Sequence, residues 1–94
     1  MRVKWLRKAL RNLDEEAAYI AADDLVAARL VVQRAISAVA QLAEQSGLGR
    51  PGRVPGTREL LVPKVRYIVP YRISGETVQF LRVFHTTRRL PEHW

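Results

Sequence analysis

The sequence contains no cysteine and only two histidines, His85 and His93. The lack of cysteine excludes a disulfide framework and a thiolate metal site, and two histidines without ligand-like spacing do not predict a zinc site. Charged residues interrupt every apolar run well before the roughly 20 residues that a membrane span needs. The basic N-terminus lacks the apolar run and cleavage site of a secretory signal. We therefore expect a cytoplasmic protein with no metal, no other cofactor and no membrane partner.

Acidic residues are scarce in the second half of the chain. Residues 1–46 carry seven basic and six acidic side chains, whereas residues 47–94 carry nine basic and three acidic ones, and the formal net charge of the chain is +7. Thirteen of the sixteen basic residues are arginines, which suit bidentate contacts with carboxylates and phosphates better than lysines do. The second half therefore predicts a surface that faces an acidic partner.

The length of the chain predicts a single domain, residues 1–94, with a C-terminal tail from about residue 86 to residue 94. Alternating side chains in residues 1–5 predict a short strand, and helical spacing then predicts a helix over residues 7–21 with Glu15 and Glu16 pointing outward. Its core-facing stripe is expected to be Leu6, Leu10, Leu13, Ala17 and Ile20.

A second helix should begin after Asp23 or Asp24, either of which can cap it, and should run to about Gln45 with Gly47 closing it. Two helices joined by so few residues are expected to pack as antiparallel neighbours. The loop that follows, GRPGRVPGTREL, concentrates glycine, proline and arginine in residues 49–60. It marks the change from helical to extended structure.

Beyond this loop, the hydrophobic period of two predicts strands over residues 58–62, 65–73 and 76–85, with a tight turn at Ser74-Gly75. The last strand is the most apolar and is expected to be central. Pro70 cannot donate to a strand ladder, so we expect a bulge or an unpaired side there. The order predicts an α+β, two-layer βααβββ domain. In it, an antiparallel helical hairpin packs on a small, mainly antiparallel sheet.

No catalytic residue is predicted from the pattern. The hydroxyl residues lack the flanking signature of an activated nucleophile, and the glycine-rich loop follows a helix instead of opening one. The acidic run from Asp14 to Glu16 predicts a solvated helix face and not a metal or acid–base site. His85 ends a strand, but a general base needs a positioned substrate and a tuned pKa. A structural or partner-contacting role is therefore favoured for His85.

Arg82 interrupts an otherwise apolar strand, FLRVF. A buried or half-buried guanidinium needs a partner, and the predicted topology makes Glu59 the nearest one. We therefore expect Arg58 and Glu59 to have structural polar roles.

Four segments together resemble the ParE branch of the RelE/ParE toxins of bacterial toxin–antitoxin systems. They are MRVKWLRKALRNLDEEAAYIA, GLGRPGRVPGTREL, YIVPYR and FLRVFHTTRRLP. The similarity runs from Met1 to about Pro91. It implies the βααβββ fold and one of two activities, since ParE-like members poison DNA gyrase whereas RelE-like members cut mRNA on the ribosome.

Most of the residues that the mRNA-cutting pattern implies are missing. That pattern places lysines on the strand after the long loop, where this chain has RELLV, and an arginine where Ile68 follows Tyr67. A basic residue near the end survives as Arg88 or Arg89. The resemblance therefore favours a gyrase-inhibiting toxin that is not a hydrolytic enzyme and is held inactive by a ParD-like antitoxin. That antitoxin is expected to bring an acidic, amphipathic C-terminal segment that is disordered when free.

Two alternatives stay open at this point. One is a ribosome-dependent mRNA endonuclease of the RelE type. The other is a stand-alone nucleic-acid-binding domain, which the charge alone suggests. The chain lacks a helix-turn-helix signature and its basic residues are not interleaved with exposed aromatics, so direct nucleic-acid binding is not expected.

The end of the last strand is the candidate target-binding element. A central strand is rigid and holds the residues at its end in fixed positions, and only Glu92 lies near the Arg88-Arg89 pair in sequence. The candidate target-binding residues are Arg82, His85, Arg88, Arg89 and Trp94.

Overall fold

The computed structural model describes residues 1–86 and residue 94. Within these residues the chain forms two helices and six strands. They are β1 (Arg2–Trp5), α1 (Arg7–Ala21), α2 (Leu25–Leu42), β2 (Arg50–Pro51), β3 (Arg58–Val62), β4 (Tyr67–Ser74), β5 (Thr77–Phe80) and β6 (Phe84–His85). The helices form an antiparallel hairpin against one face of a mixed sheet, so the predicted α+β class is confirmed.

The second helix begins where its cap was expected and ends earlier than predicted. The Asp24 carboxylate accepts a hydrogen bond from the Ala27 amide at 3.0 Å, which satisfies one of the free donors at the helix start. The helix ends at Leu42 with Ala43 as its C-cap in a right-handed conformation, so the prediction that Gly47 closes it was wrong. By length and composition alone α2 could cross a membrane, a test that core helices also pass, and here α2 packs on α1 and the sheet.

The buried stripe of α1 differs from the predicted one. Ala9, Leu13 and Glu16 are its buried residues, whereas Leu10 is 46% exposed. The small Ala9 side chain lets the helix approach the sheet, and a hydrogen bond from the Tyr67 hydroxyl satisfies the Glu16 carboxylate at 3.0 Å. The solvated face predicted for Asp14–Glu16 was therefore wrong at Glu16, which is 5% exposed. A carboxylate can take an inward position when a buried donor meets it.

The sheet has the strand order β1-β5-β4-β3-β2, with β6 pairing β4. The β1–β5 pair is parallel and the other pairs are antiparallel. The sheet is therefore mainly antiparallel, as predicted. Strand β3 has the predicted bounds. Strand β4 starts two residues late, because Lys64 and Arg66 adopt positive φ angles of 70° and 55° in the preceding turn. The turn between β4 and β5 is Gly75-Glu76, and Gly75 has a φ of 59°.

The predicted last strand is divided by a β-bulge. Tyr71 pairs with Phe80 and Ile68 pairs with Phe84, so the two residues 69–70 face the three residues 81–83. The Pro70 carbonyl accepts the Leu81 amide at 2.9 Å. The nitrogen of Pro70, which has no hydrogen, points to the same side of the strand. The expected bulge at Pro70 is therefore present, because the missing donor leaves the ladder incomplete there.

The core lies between the hairpin and the helix-facing side of the sheet. Tyr71, Phe80 and Leu42 are its largest fully buried side chains. Alternate strand residues face away from the helices. We call that side the outer face and define it by Lys4, Glu59, Leu61, Ile68, Pro70, Arg72, Gln79 and Phe84.

Tyr71 fastens the glycine-rich loop to the core. Its hydroxyl donates to the Ser46 carbonyl at 2.8 Å and accepts from the Gly49 amide at 2.9 Å. A Cβ at Gly49 would lie 2.6 Å from that hydroxyl and 2.8 Å from the Glu59 carbonyl oxygen. Glycine is required at position 49 by this close approach, which the sequence pattern alone did not distinguish from turn formation.

We predict that Gly49→Ala lowers the free energy of unfolding by about 2 kcal/mol, because overpacking of this size displaces the tyrosine and the strand. Gly47→Ala is the matched control, since a Cβ there meets nothing within 4 Å. Urea unfolding of both variants measures the difference. Equal stability of the two variants would contradict the packing argument.

Candidate functional site

The candidate site is built on the outer face around a buried carboxylate. Glu59 is 3% exposed. Its oxygens accept from the Arg50 guanidinium at 3.3 Å, from the Arg53 Nε at 3.3 Å and from the Arg53 backbone amide at 3.0 Å. Burial alone would raise the pKa of Glu59. The hydrogen bonds and charge of Arg53, with a further bond from Arg50, outweigh it and hold that pKa below its ordinary value.

The loop is also held by Arg58 on the helix-facing side of β3. Its Nε donates to the Gly49 carbonyl at 2.9 Å, and a terminal nitrogen donates to the Gly47 carbonyl at 3.1 Å. The neighbouring residues Arg58 and Glu59 thus form hydrogen bonds with the loop from opposite faces of one strand. They bind backbone and side chains of the loop itself, so their polar groups position residues 47–53.

Asn12 fills the gap that the bulge opens. Its side-chain oxygen accepts from the Val83 backbone amide at 3.2 Å and from the Arg82 Nε at 2.7 Å. The Val83 amide would otherwise lack a partner in the interrupted ladder. Arg82 therefore pairs with Asn12, and the expected contact between Arg82 and Glu59 was wrong. The bulge directs the Arg82 side chain to Asn12 of α1 and to the Phe84 ring instead of to Glu59.

Aromatic side chains connect the bulge to the loop across the outer face. The Arg82 guanidinium lies 4.8 Å from the Phe84 ring centroid, and the Phe84 and Trp94 rings are 5.8 Å apart. The Trp94 indole donates to the Thr57 hydroxyl at 3.2 Å, and the Arg53 guanidinium lies 5.9 Å from the Trp94 ring. The two distances from a guanidinium to a ring fall within the range of cation–π attraction. This chain of contacts therefore links β6 to the same loop that Glu59 binds.

His85 points to the opposite side. It pairs with Tyr67 in the β4–β6 ladder, and the two rings meet edge to face with centroids 5.0 Å apart. Tyr67 in turn donates to Glu16. His85, Tyr67 and Glu16 also line a groove of about 460 Å³ at the turn end of the hairpin, where α1 leads into α2. This places His85 beside Glu16 and Tyr67 and apart from the contacts of Arg82 with Asn12 and Phe84.

The predicted target-binding residues thus divide into two groups. The structure links Arg82 and Trp94 through the Phe84 ring, and it places His85 against Tyr67 on the other side of the strand. Arg88 and Arg89 lie outside the described residues. Their shared role as target-binding residues stays a prediction.

Sequence reasoning missed Asn12 and Phe84 as parts of this cluster. Asn12 lay outside the predicted core-facing stripe of α1, and the face to which Phe84 points depends on the bulge. A signal for Asn12 did exist, because a bulge at Pro70 leaves an amide that needs an acceptor from the overlying helix. Within the described part of the chain no group of three histidine, cysteine or carboxylate side chains could hold a metal ion.

The hairpin presents a different surface. A groove of about 390 Å³ between α1 and α2 is lined mostly by small and apolar residues. Leu25 at its rim is 55% exposed. An exposed apolar groove of this kind is typical of a protein-binding surface.

Three comparisons with known proteins each match this chain to a toxin or to a toxin–antitoxin system. The family model described as "ParE toxin of type II toxin-antitoxin system, parDE" matches residues 3–90. A protein of Sinorhizobium fredii (strain NBRC 101917 / NGR234) named "Putative toxin Y4kP" is 48% identical over 91 residues, which cover 97% of this chain and 94% of that protein. A solved structure titled "Chromosomal ParDE TA system from P. aeruginosa" matches with a TM-score of 0.79 and 33% identity. That match covers 90% of this chain and 95% of the other.

We predict that Glu59→Gln lowers the free energy of unfolding by about 1–3 kcal/mol at pH 7, because charge-assisted hydrogen bonds to both arginines are lost. Since the pKa of Glu59 is lowered in the folded state, its contribution is complete above its ordinary pKa of about 4.3. The contribution is lost as the pH falls through the lower folded value. The difference between parent and variant should therefore shrink below about pH 4. Urea unfolding at several pH values measures it.

Glu76→Gln is the matched control, since Glu76 is an exposed carboxylate in the β4–β5 turn. It should change stability by less than about 0.5 kcal/mol at every pH. A Glu59→Gln deficit that stays constant down to pH 3 would show that the charge of Glu59 is not what stabilises the loop.

Proposed function

Because this chain belongs to the ParE toxin family of parDE type II toxin–antitoxin systems, we propose that it arrests growth by inhibiting DNA gyrase in the cytoplasm and is neutralised by a ParD-like antitoxin. The family match over residues 3–90 is the observation that carries the proposal. The P. aeruginosa match adds the same fold at 33% identity.

The centre of the outer face supports gyrase inhibition over mRNA cleavage. Phosphodiester cleavage needs groups that activate the 2′-hydroxyl and stabilise the developing charge. The centre instead holds Leu61 and Ile68, which pair across β3 and β4, beside the Glu59–Pro70 pair. Apolar side chains and a carboxylate already bound by two arginines supply neither function. We therefore propose that the toxin acts by binding and not by hydrolysis.

The proposed target-binding residues are Arg82, His85, Arg88, Arg89 and Trp94. Arg82 is fixed by Asn12 and Phe84, and Trp94 is fixed by Thr57 and Phe84. Preorganised arginine and tryptophan side chains are frequent hot spots of protein interfaces, because little side-chain entropy is lost when a partner binds them. This rigidity supports their assignment to the gyrase-facing surface.

The proposed antitoxin surface includes the groove between α1 and α2. An amphipathic segment binds such a groove through its apolar side chains. Leu25 lies at the groove rim and the groove floor is formed largely by alanines, so an inserted side chain can approach the helix backbones closely. Acidic residues of the same segment can then reach the basic parts of the molecule. Binding should weaken only in part with salt, because apolar contacts are not screened.

We predict that the purified toxin inhibits gyrase-catalysed supercoiling of plasmid DNA and leaves mRNA intact on translating ribosomes. The double variant Arg88→Ala/Arg89→Ala should lose at least about tenfold in inhibition, because two charged contacts to the target disappear. Supercoiling gels and primer extension on ribosome-bound mRNA measure the two activities.

The double variant should still bind the antitoxin, which controls for misfolding. Arg29→Ala with Lys64→Ala removes the same number of charges from α2 and the β3–β4 turn and should leave inhibition unchanged. Codon-specific cuts in the mRNA would overturn the assignment. Full inhibition by the Arg88 and Arg89 variant would exclude that surface.

For the antitoxin, we predict that Leu25→Ser weakens binding by about tenfold or more, because burial of a leucine side chain contributes about 1.5–3 kcal/mol. Isothermal titration with the antitoxin that restores growth on co-expression measures the affinity. Leu48→Ser is the control, since Leu48 is a similarly exposed leucine, at 46% against 55%, in the loop after α2. Equal losses in both variants would argue against the hairpin groove.

A further inference from the structure

A row of basic and polar side chains crosses the outer face at the β1 edge of the sheet. Lys4, Gln79 and Arg72 occupy paired positions on β1, β5 and β4. Their neighbours Trp5 and Phe80 pack in or against the core, so the row faces away from the helices. Strands about 4.8 Å apart place Lys4 and Arg72 roughly 10 Å from each other across the row.

Arg72 joins this row to a second group of positive charges. Its Nε donates to the Gln79 side-chain oxygen at 2.7 Å, which orients the guanidinium along the face. Arg72 also lines a groove of about 660 Å³, whose lining includes Arg7 and Lys8 at the start of α1 and an apolar floor of Leu6, Val54, Pro55 and Leu81. Four exposed cations from three separate elements thus border one continuous area.

Little acidic charge opposes this area. The buried carboxylate of the outer face, Glu59, is already paired with Arg50 and Arg53. The first turn of α1 has no acidic residue, so the positive end of the helix dipole adds to Arg7 and Lys8. Glu76 lies beside Arg2 at the far end of β1, and we leave Arg2 out of the set for that reason.

The side chains of the row favour a nucleic-acid partner over a protein partner. Protein interfaces depend on apolar anchors. On the strands themselves, Lys4, Gln79 and Arg72 and their neighbours Thr77 and Ser74 offer only charged or hydrogen-bonding side chains, and the apolar side chains of the groove lie between Arg72 and the cations of α1. Arginine, lysine, glutamine, serine and threonine are the side chains that contact phosphates in nucleic-acid complexes. Single strands bind through aromatic stacking platforms. Trp94, the aromatic side chain that lines the groove with Arg72, is already packed on Phe84 and bonded to Thr57.

We infer that this basic row, formed by Lys4, Arg72, Arg7 and Lys8 with Gln79, binds the sugar–phosphate backbone of duplex DNA without reading its sequence. The sequence argued against direct nucleic-acid binding because basic and aromatic residues are not interleaved along the chain. Backbone contacts to a duplex need no aromatic residue, and the parallel pairing of β1 with β5 brings the cations together. The inference does not depend on gyrase, since it concerns the toxin and DNA alone.

The test is fluorescence anisotropy of a labelled 20-base-pair duplex of arbitrary sequence titrated with the purified toxin at several salt concentrations. The parent should bind, and its log affinity should fall linearly with log salt concentration. Lys4→Gln/Arg72→Gln should bind about tenfold more weakly. Its salt slope should be smaller by about 1–2, because each lost phosphate contact removes roughly 0.9 from the slope. A second duplex of different sequence should give the same values.

Arg29→Gln/Lys64→Gln is the matched control, since it removes one arginine and one lysine from exposed sites away from the outer face. It should keep the parental affinity within about twofold and the parental slope. Thermal unfolding checks that both variants are folded. The inference fails if the parent does not bind duplex DNA at low salt, or if the control loses as much affinity as the test variant. It also fails if a labelled polyglutamate peptide of equal charge binds as tightly and depends equally on Lys4 and Arg72.

Discussion

The missing backbone hydrogen of Pro70 determines how the end of the sheet is built. Without a donor at that position the ladder between β4 and the last strand cannot continue, and one extra residue is accommodated opposite residues 69–70. An insertion of one residue inverts the phase of every side chain beyond it. In a continuous strand Arg82 would share the core-facing side of Phe80. With the bulge, Val83 enters the core at 1% exposure, and Phe84 faces outward while His85 turns toward the helices.

This inversion also affects the glycine-rich loop that leads from α2 to β3. Because Phe84 faces outward, it can pack against Trp94, which is bonded to Thr57 and lies near Arg53. Arg53 binds the buried Glu59 carboxylate through its backbone and its side chain. A strand irregularity and a glycine-rich loop that are far apart in sequence are therefore connected through two aromatic rings and one ion pair. A substitution at one end of this connection should therefore change the side-chain packing at the other end.

The sequence predicted the order of the two helices and the longer strands, the bounds of α1 and β3, and a bulge or an unpaired side at Pro70, because these depend on local periodicity and on proline chemistry. It missed the two-residue strand β2 within the loop. It could not predict the contacts that depend on phase and pairing. Glu16 was assigned to solvent since no local signal shows that Tyr67 meets it. Arg82 was paired with Glu59 because the predicted strand was continuous, whereas the bulge changes the direction in which the Arg82 side chain points. The charge count by halves of the chain did not include Lys4 with the basic half, although β1 lies beside β5 and places Lys4 in one row with Gln79 and Arg72.

The two exposed surfaces differ in chemistry, and this difference constrains how neutralisation can work. The hairpin groove is apolar and suits an amphipathic helix, whereas the outer face at the β1 edge is basic and suits phosphate. A helix that fills only the groove would leave the basic face open, so occupation of the groove alone would not prevent backbone contacts. A neutralising segment therefore has to extend past the start of α1, where Arg7 and Lys8 border both the helical layer and the outer face. An acidic extension placed there would cancel the field of the basic row with few specific contacts, because the attraction between opposite charges does not require close packing. On this view the apolar groove gives the antitoxin its affinity, and the charge of its extension decides whether the toxin can still contact DNA.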